Sequence, residues 1–131
     1  MSPLNKNNIL KPNDMRKTAI VIDDDPDSVE IFSLLLEEQN IAIVGEGYNG
    51  RDAIRLYQEK QPDFVFLDLK MPDGSGFHAI RSIKKINDLA KIVVVTAHSD
   101  YSTTKKLTDL GIHGVITKPI EMNKIINLVS Q

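Results

Sequence analysis

Five short, unbroken apolar runs constrain this 131-residue chain more than any other feature. They occupy residues 19–22, 41–44, 64–67, 92–95 and 115–116, and they are rich in valine and isoleucine. A strand with one face in water alternates apolar with polar residues, because successive side chains point to opposite faces. A continuous run instead signals a strand buried on both faces, as in a parallel sheet covered by helices above and below. The segments between the runs have helical periodicity. Residues 26–39 follow Asp25 and place Pro26 at the first helical position, a strong start signal. Val29, Phe32, Leu35 and Leu36 then share one helical face. Residues 50–60 group Ala53, Ile54 and Tyr57 behind Asn49 as cap, and residues 76–86 group Phe77, Ile80 and Ile83. Residues 101–110 make a weaker helix, with the mediocre formers Thr103, Thr104 and Thr108 and few apolar anchors beyond Leu107 and Leu110. Residues 121–130 close the series with Ile125, Ile126 and Val129. Five rounds of strand then helix predict an α/β fold, a doubly wound five-stranded parallel sheet flanked by five helices. Right-handed crossovers leave few topologies for such a chain.

Composition narrows the function. The length fits one domain, and 41% hydrophobic with 26% charged residues is ordinary globular content. The first sixteen residues, rich in Asn, Pro and Lys, read as an N-terminal tail (1–16) preceding a single domain (17–131). There is no cysteine, which excludes disulfide scaffolds, thiolate zinc sites and cysteine nucleophiles. Sixteen Lys and Arg against eighteen Asp and Glu give a net charge of -2, no footing for strong nucleic-acid or anionic-membrane binding. No apolar run approaches a membrane span, and the N-terminus lacks the apolar core of a secretory signal. The expectation is a cytoplasmic domain with neither nucleic acid nor membrane as partner.

The informative polar residues stand directly after the apolar runs. The first run ends in Asp23-Asp24-Asp25, the third in Asp68, the fourth in Thr96 and the fifth in Thr117-Lys118-Pro119. Taken singly, each has an ordinary explanation as a turn, cap or surface residue. In a parallel sheet, however, all C-terminal strand ends lie on one edge, where open α/β folds place their ligand crevice. Carboxylates, a hydroxyl and one ammonium therefore converge. Clustered carboxylates repel, and a single lysine offsets only part of that repulsion. Mg²⁺, a hard cation that takes few carboxylates and keeps several waters, would complete the balance. An aspartate beside Mg²⁺ and lysine makes a good phosphoryl acceptor. No GxxxxGK[ST] or GxGxxG loop supports nucleotide binding.

These residues resemble the receiver domain of two-component response regulators, with stand-alone chemotaxis-type receivers the most similar in size. The resemblance spans Lys17 to the C-terminus and rests on IVIDDDP, FVFLDLKMPDGSG, VVVTAHS and ITKPI in combination. It implies the flavodoxin-like sheet order 2-1-3-4-5 and Asp68 as phosphoacceptor. It also implies an Mg²⁺ site formed by Asp23, Asp24, Asp68 and the backbone carbonyl of Lys70. Asp25 stands where the family often has an acid, and a capping role beside Pro26 is an equal reading. Thr96 matches the switch hydroxyl, and Lys118 the lysine that contacts the phosphoryl group. Met71-Pro72 and Gly76 match the loop after the acceptor, and Lys118-Pro119 matches the family's cis peptide.

The implied partners are a histidine kinase or phosphotransfer protein as donor and an output protein of unknown identity. The chain would act as a monomer or a weak phosphorylation-dependent dimer. It would catalyse only its own phosphorylation and dephosphorylation and turn over no external metabolite. A phosphatase with an aspartyl nucleophile would need a second Asp in a DxD arrangement, which Asp68-Leu69-Lys70 lacks. Two alternatives remain: a receiver-like scaffold working without phosphorylation, and the receiver of a longer regulator. The chain departs from the family at Val115, where an aromatic switch residue is usual. His78, His98 and His113 lack metal-ligand spacing. Surface or packing roles suit His78 and His113, and His98 falls where the family tunes water access to the acyl phosphate, next to the small Ala97.

Overall fold

The computed structural model describes residues 15–71, 75–97 and 100–130. Strands and helices alternate as expected: β1 (Thr18–Ile22), α1 (Pro26–Glu38), β2 (Ala42–Gly47), α2 (Gly50–Lys60) and β3 (Phe64–Asp68) form the first half. The second half comprises α3 (Ser75–Ile86), β4 (Lys91–Thr96), α4 (Tyr101–Asp109), β5 (Gly114–Thr117) and α5 (Met122–Val129). All strand pairs are parallel and the sheet order is β2-β1-β3-β4-β5.

The unbroken apolar runs are explained by two separate cores. Odd residues of β1, Ala19 and Val21, pack with Phe64, Phe66, Val93, Val95 and Ile116 against Val29, Phe32 and Leu36 of α1 and Ile125 of α5. Even residues Ile20 and Ile22 join Val65, Leu67, Ile92 and Val94 under Leu56 and Tyr57 of α2, Ile80 and Ile83 of α3, and Leu107 of α4. Each strand thus serves both layers through its period of two.

Several boundaries differ from the sequence expectation for identifiable reasons. Strand β2 runs to Gly47, three residues past its apolar run, because this edge strand needs no large side chain under α2. A Cβ on Gly45 would lie 2.9 Å from Leu56 Cδ2. In α1 the inward positions are Val29, Phe32, Ser33 and Leu36, while Leu35 is only half-buried. Helix α4 forms despite its threonines. Asp100 caps it by accepting from the Thr103 amide at 2.7 Å, and Leu107 is its one fully buried side chain. In α5, Ile125 is buried and Ile126 is 38% exposed. The tail expectation falls almost wholly outside the described residues, of which Met15 is exposed. No helix among the described residues is long and apolar enough to cross a membrane.

Candidate functional site

Strand ends β1, β3 and β5 deliver the three side chains at the centre of the site. The Asp23 amide donates to Gly47 O at 3.1 Å, which continues the β1–β2 pairing one residue beyond β1. Its Oδ1 accepts from the Asp25 amide at 3.0 Å, which turns the chain into α1 and leaves Oδ2 free to face the cleft. Asp25 itself caps α1, accepting from the Asp27 amide and from Ser28 Oγ. Of its two sequence readings, the cap is observed. Asp24 projects into solvent beside them.

Asp68 closes β3 and is 7% exposed. Its Oδ1 accepts from the Lys70 amide at 3.0 Å, so the loop after β3 orients the carboxylate. The loop is compact: Met71 is buried and its amide donates to Leu69 O. Gly76, in the first turn of α3, lies against the same loop, where a Cβ would come within 2.6 Å of Leu69 O. Backbone meets backbone there, so only glycine fits. Pro72 lies outside the described residues.

Lys118 follows β5, and its amide donates to Thr96 O at 2.8 Å. The Lys118-Pro119 peptide is cis. The lysine Nζ sits 3.6 Å from Asp23 Oδ2 and 3.7 Å from Asp68 Oδ2, bridging the two buried carboxylates. Thr96 is buried at the end of β4, one residue beyond Val95, the register partner of Asp68. An open cleft of about 640 Å³ is lined by Asp23, Asp24, Asp25, Asp68, Lys70 and Lys118, among others. The structure therefore unites Asp23, Asp24, Asp68, Lys70 and Lys118, with Thr96 on the adjoining strand end.

Asp23, Asp24 and Asp68 each offer an oxygen within 4.8 Å of the others. Three carboxylates against one ammonium leave a local negative excess, and two of the three are buried. Hard oxygen donors, partial exposure and uncompensated charge fit a small divalent cation that retains water.

Sequence reasoning missed an apolar cavity of about 220 Å³ beside this cleft, lined by Ile31, Phe32, Phe66, Val95, Pro119 and Ile120, with Asp68 and Lys118 at its margin. The available signal was in α1, where Ile31 and Leu34 fall off the buried stripe and are 58% and 56% exposed. The histidines divide as expected where described. His78 is exposed, and His113 is half-buried with Nε2 2.7 Å from Leu128 O. His98 lies outside the described residues. Val115 is half-buried against the α2–α4 core.

Comparison with known proteins agrees with this architecture. The chemotaxis protein CheY of Thermotoga maritima is 28% identical over 117 residues, covering 89% of this chain and 98% of that protein. CheY of Halobacterium salinarum is 31% identical over 116 residues, covering 88% of this chain and 96% of that protein. The crystal structure of a CheX–CheY–BeF3–Mg complex from Borrelia burgdorferi shares the fold, with a TM-score of 0.81 and 21% identity, covering 86% of each chain. Residues 19–130 match the family model described as the response regulator receiver domain. With its sheet order, its acidic strand ends and that match over nearly the whole chain, this protein belongs to the response regulator receiver family.

Proposed function

We propose that the chain is a phosphorylation switch of a two-component relay. In this reading Asp68 takes a phosphoryl group from the phosphohistidine of a histidine kinase or phosphotransfer protein. A carboxylate oxygen of Asp68 bonds to phosphorus as the phosphorus–nitrogen bond breaks, and the electron pair leaves with the imidazole. The observation that carries this reading is the position of Asp68: buried, oriented by the Lys70 amide, and 3.7 Å from the Lys118 ammonium. Lys118 stabilises charge on the transferring oxygens. Asp23, Asp24, Asp68 and the Lys70 carbonyl would hold Mg²⁺, which supplies further neutralisation of phosphoryl charge when bound. The Borrelia CheY complex, which shares this fold, contains BeF3 and Mg, which supports phosphoryl and Mg²⁺ chemistry in this reading. Thr96, on the strand end whose carbonyl holds the Lys118 amide, donates to the phosphoryl group and moves with it. The product is a changed affinity for an output protein, in the cytoplasm, with no external metabolite consumed.

The test is transfer of radiolabel from a small phosphodonor, with and without EDTA. Wild-type protein should acquire hydroxylamine-sensitive label only with Mg²⁺, and the nearly isosteric Asp68→Asn should acquire none while folding normally. Full labelling of Asp68→Asn would place the acceptor elsewhere. Partner binding by Asp68→Asn equal to that of phosphorylated wild type would favour a scaffold working without phosphorylation.

A further inference from the structure

We propose that the α3–α4 face is a docking site for an acidic segment of a partner protein, held by Arg81 and Lys106 above Phe77. The two cations reach one ring from different helices: the Arg81 guanidinium carbon lies 5.8 Å and Lys106 Nζ 5.5 Å from the Phe77 centroid. The ring is a fixed platform, because Phe77 packs against the core beneath it. Helix α3 contains Arg81, Lys84 and Lys85 and no acid at all. Helix α4 contains Lys105, Lys106 and a single acid, Asp109, which pairs with Lys105 at 3.6 Å. Lys84 is also engaged, donating to the carbonyls of Asp88 and Ala90 at 2.9 and 3.2 Å. Among the described residues, no carboxylate pairs with Arg81, Lys85 or Lys106.

This is a local imbalance in a chain whose net charge is -2. The opposite layer shows the reverse, since α1 carries Asp27, Glu30, Glu37 and Glu38 without a base. A cation over an aromatic face gains only about 0.5–1 kcal/mol at exposed sites and keeps its charge. Both cations keep their charge beside one ring, so an anion that reaches them gains charge-assisted hydrogen bonds. The ring adds an apolar contact that a bare phosphate or a polyanion would not use. An extended acidic segment with an interspersed apolar side chain matches both features. The site is built from helices and not from the acidic cleft, so it stands whether or not Asp68 is the phosphoacceptor.

The experiment titrates the isotopically labelled, unphosphorylated full chain with a synthetic peptide alternating glutamate and leucine, and with its glutamine counterpart. Amide shifts should concentrate at Phe77, Arg81, Lys85 and Lys106, with no response to the glutamine peptide. Raising the salt should weaken binding by about tenfold. Arg81→Gln with Lys106→Gln should weaken it by a similar factor without altering the circular dichroism spectrum. Phe77→Leu, which keeps every charge, should weaken it severalfold. Binding indifferent to the glutamine pair, shifts dispersed over the surface, or equal affinity for a single-stranded oligonucleotide would each overturn the proposal.

Discussion

Lys118 bridges Asp23 and Asp68, and its removal has two separable effects. Without the ammonium, the carboxylates lose the only counter-charge the described residues place on them, and in the proposed relay the transferring phosphoryl would lose one of its stabilising groups. Lys118→Ala should slow labelling of Asp68 on the order of a hundredfold, the scale on which single electrostatic donors act. In the proposed switch Thr96 plays a different part, with its hydroxyl used only after transfer. Thr96→Ala should label at close to the wild-type rate yet bind the output partner weakly. Rates of phosphorylation and partner affinity, measured on both variants, check the contrast; unimpaired partner binding by phosphorylated Thr96→Ala would remove that hydroxyl from the switch.

Helix α4 is lightly held, with Leu107 as its single fully buried residue and Asp100 as its cap. Segments with few buried apolar contacts open at the lowest free energy. Val115 cannot supply the swing of an aromatic side chain, since a β-branched residue is confined at its first torsion. Switching should therefore fall on α4, and beryllofluoride should change amide exchange across residues 100–110 as well as in the acidic pocket. Changes confined to the pocket would refute this. Leu107→Ala should cost about 2–5 kcal/mol by denaturant titration, the range for emptying a leucine site.

The same helix shows where sequence legibility ends. The strands were readable because burial on both faces removes alternation, and Asp23, Asp68 and Lys118 were readable because a parallel sheet gathers its strand ends. Helix α4 was hard to read because it is held by one cap and one buried side chain rather than by propensity. The extent of β2 was hidden by glycines chosen for the packing of Leu56. The cavity beside Asp68 joins α1 to the residues after β5, and Lys106 reaches Phe77 from the next helix, so tertiary packing completes both.

At the level of the whole molecule, the acidic edge holds negative charge that folding itself brings together. Mg²⁺ bound only by the folded state should raise stability by about 2.7 kcal/mol at a hundredfold excess over its dissociation constant. Thermal melts with Mg²⁺ against sodium chloride of equal ionic strength would show the rise, and Asp23→Asn with Asp24→Asn should erase it. The sheet has a further consequence as a partition. Phe32 stacks edge-on to Phe66 on one side, with centroids 5.2 Å apart, while Ile83 packs in the other core and shares no cluster with them. Damage on one side should then be invisible to the other. The destabilisations of Phe32→Leu and Ile83→Val should add to within about 0.5 kcal/mol in the double variant, as independent sites do. A lineage could in that case rebuild the layer facing one partner, residue by residue, without renegotiating the layer that faces another.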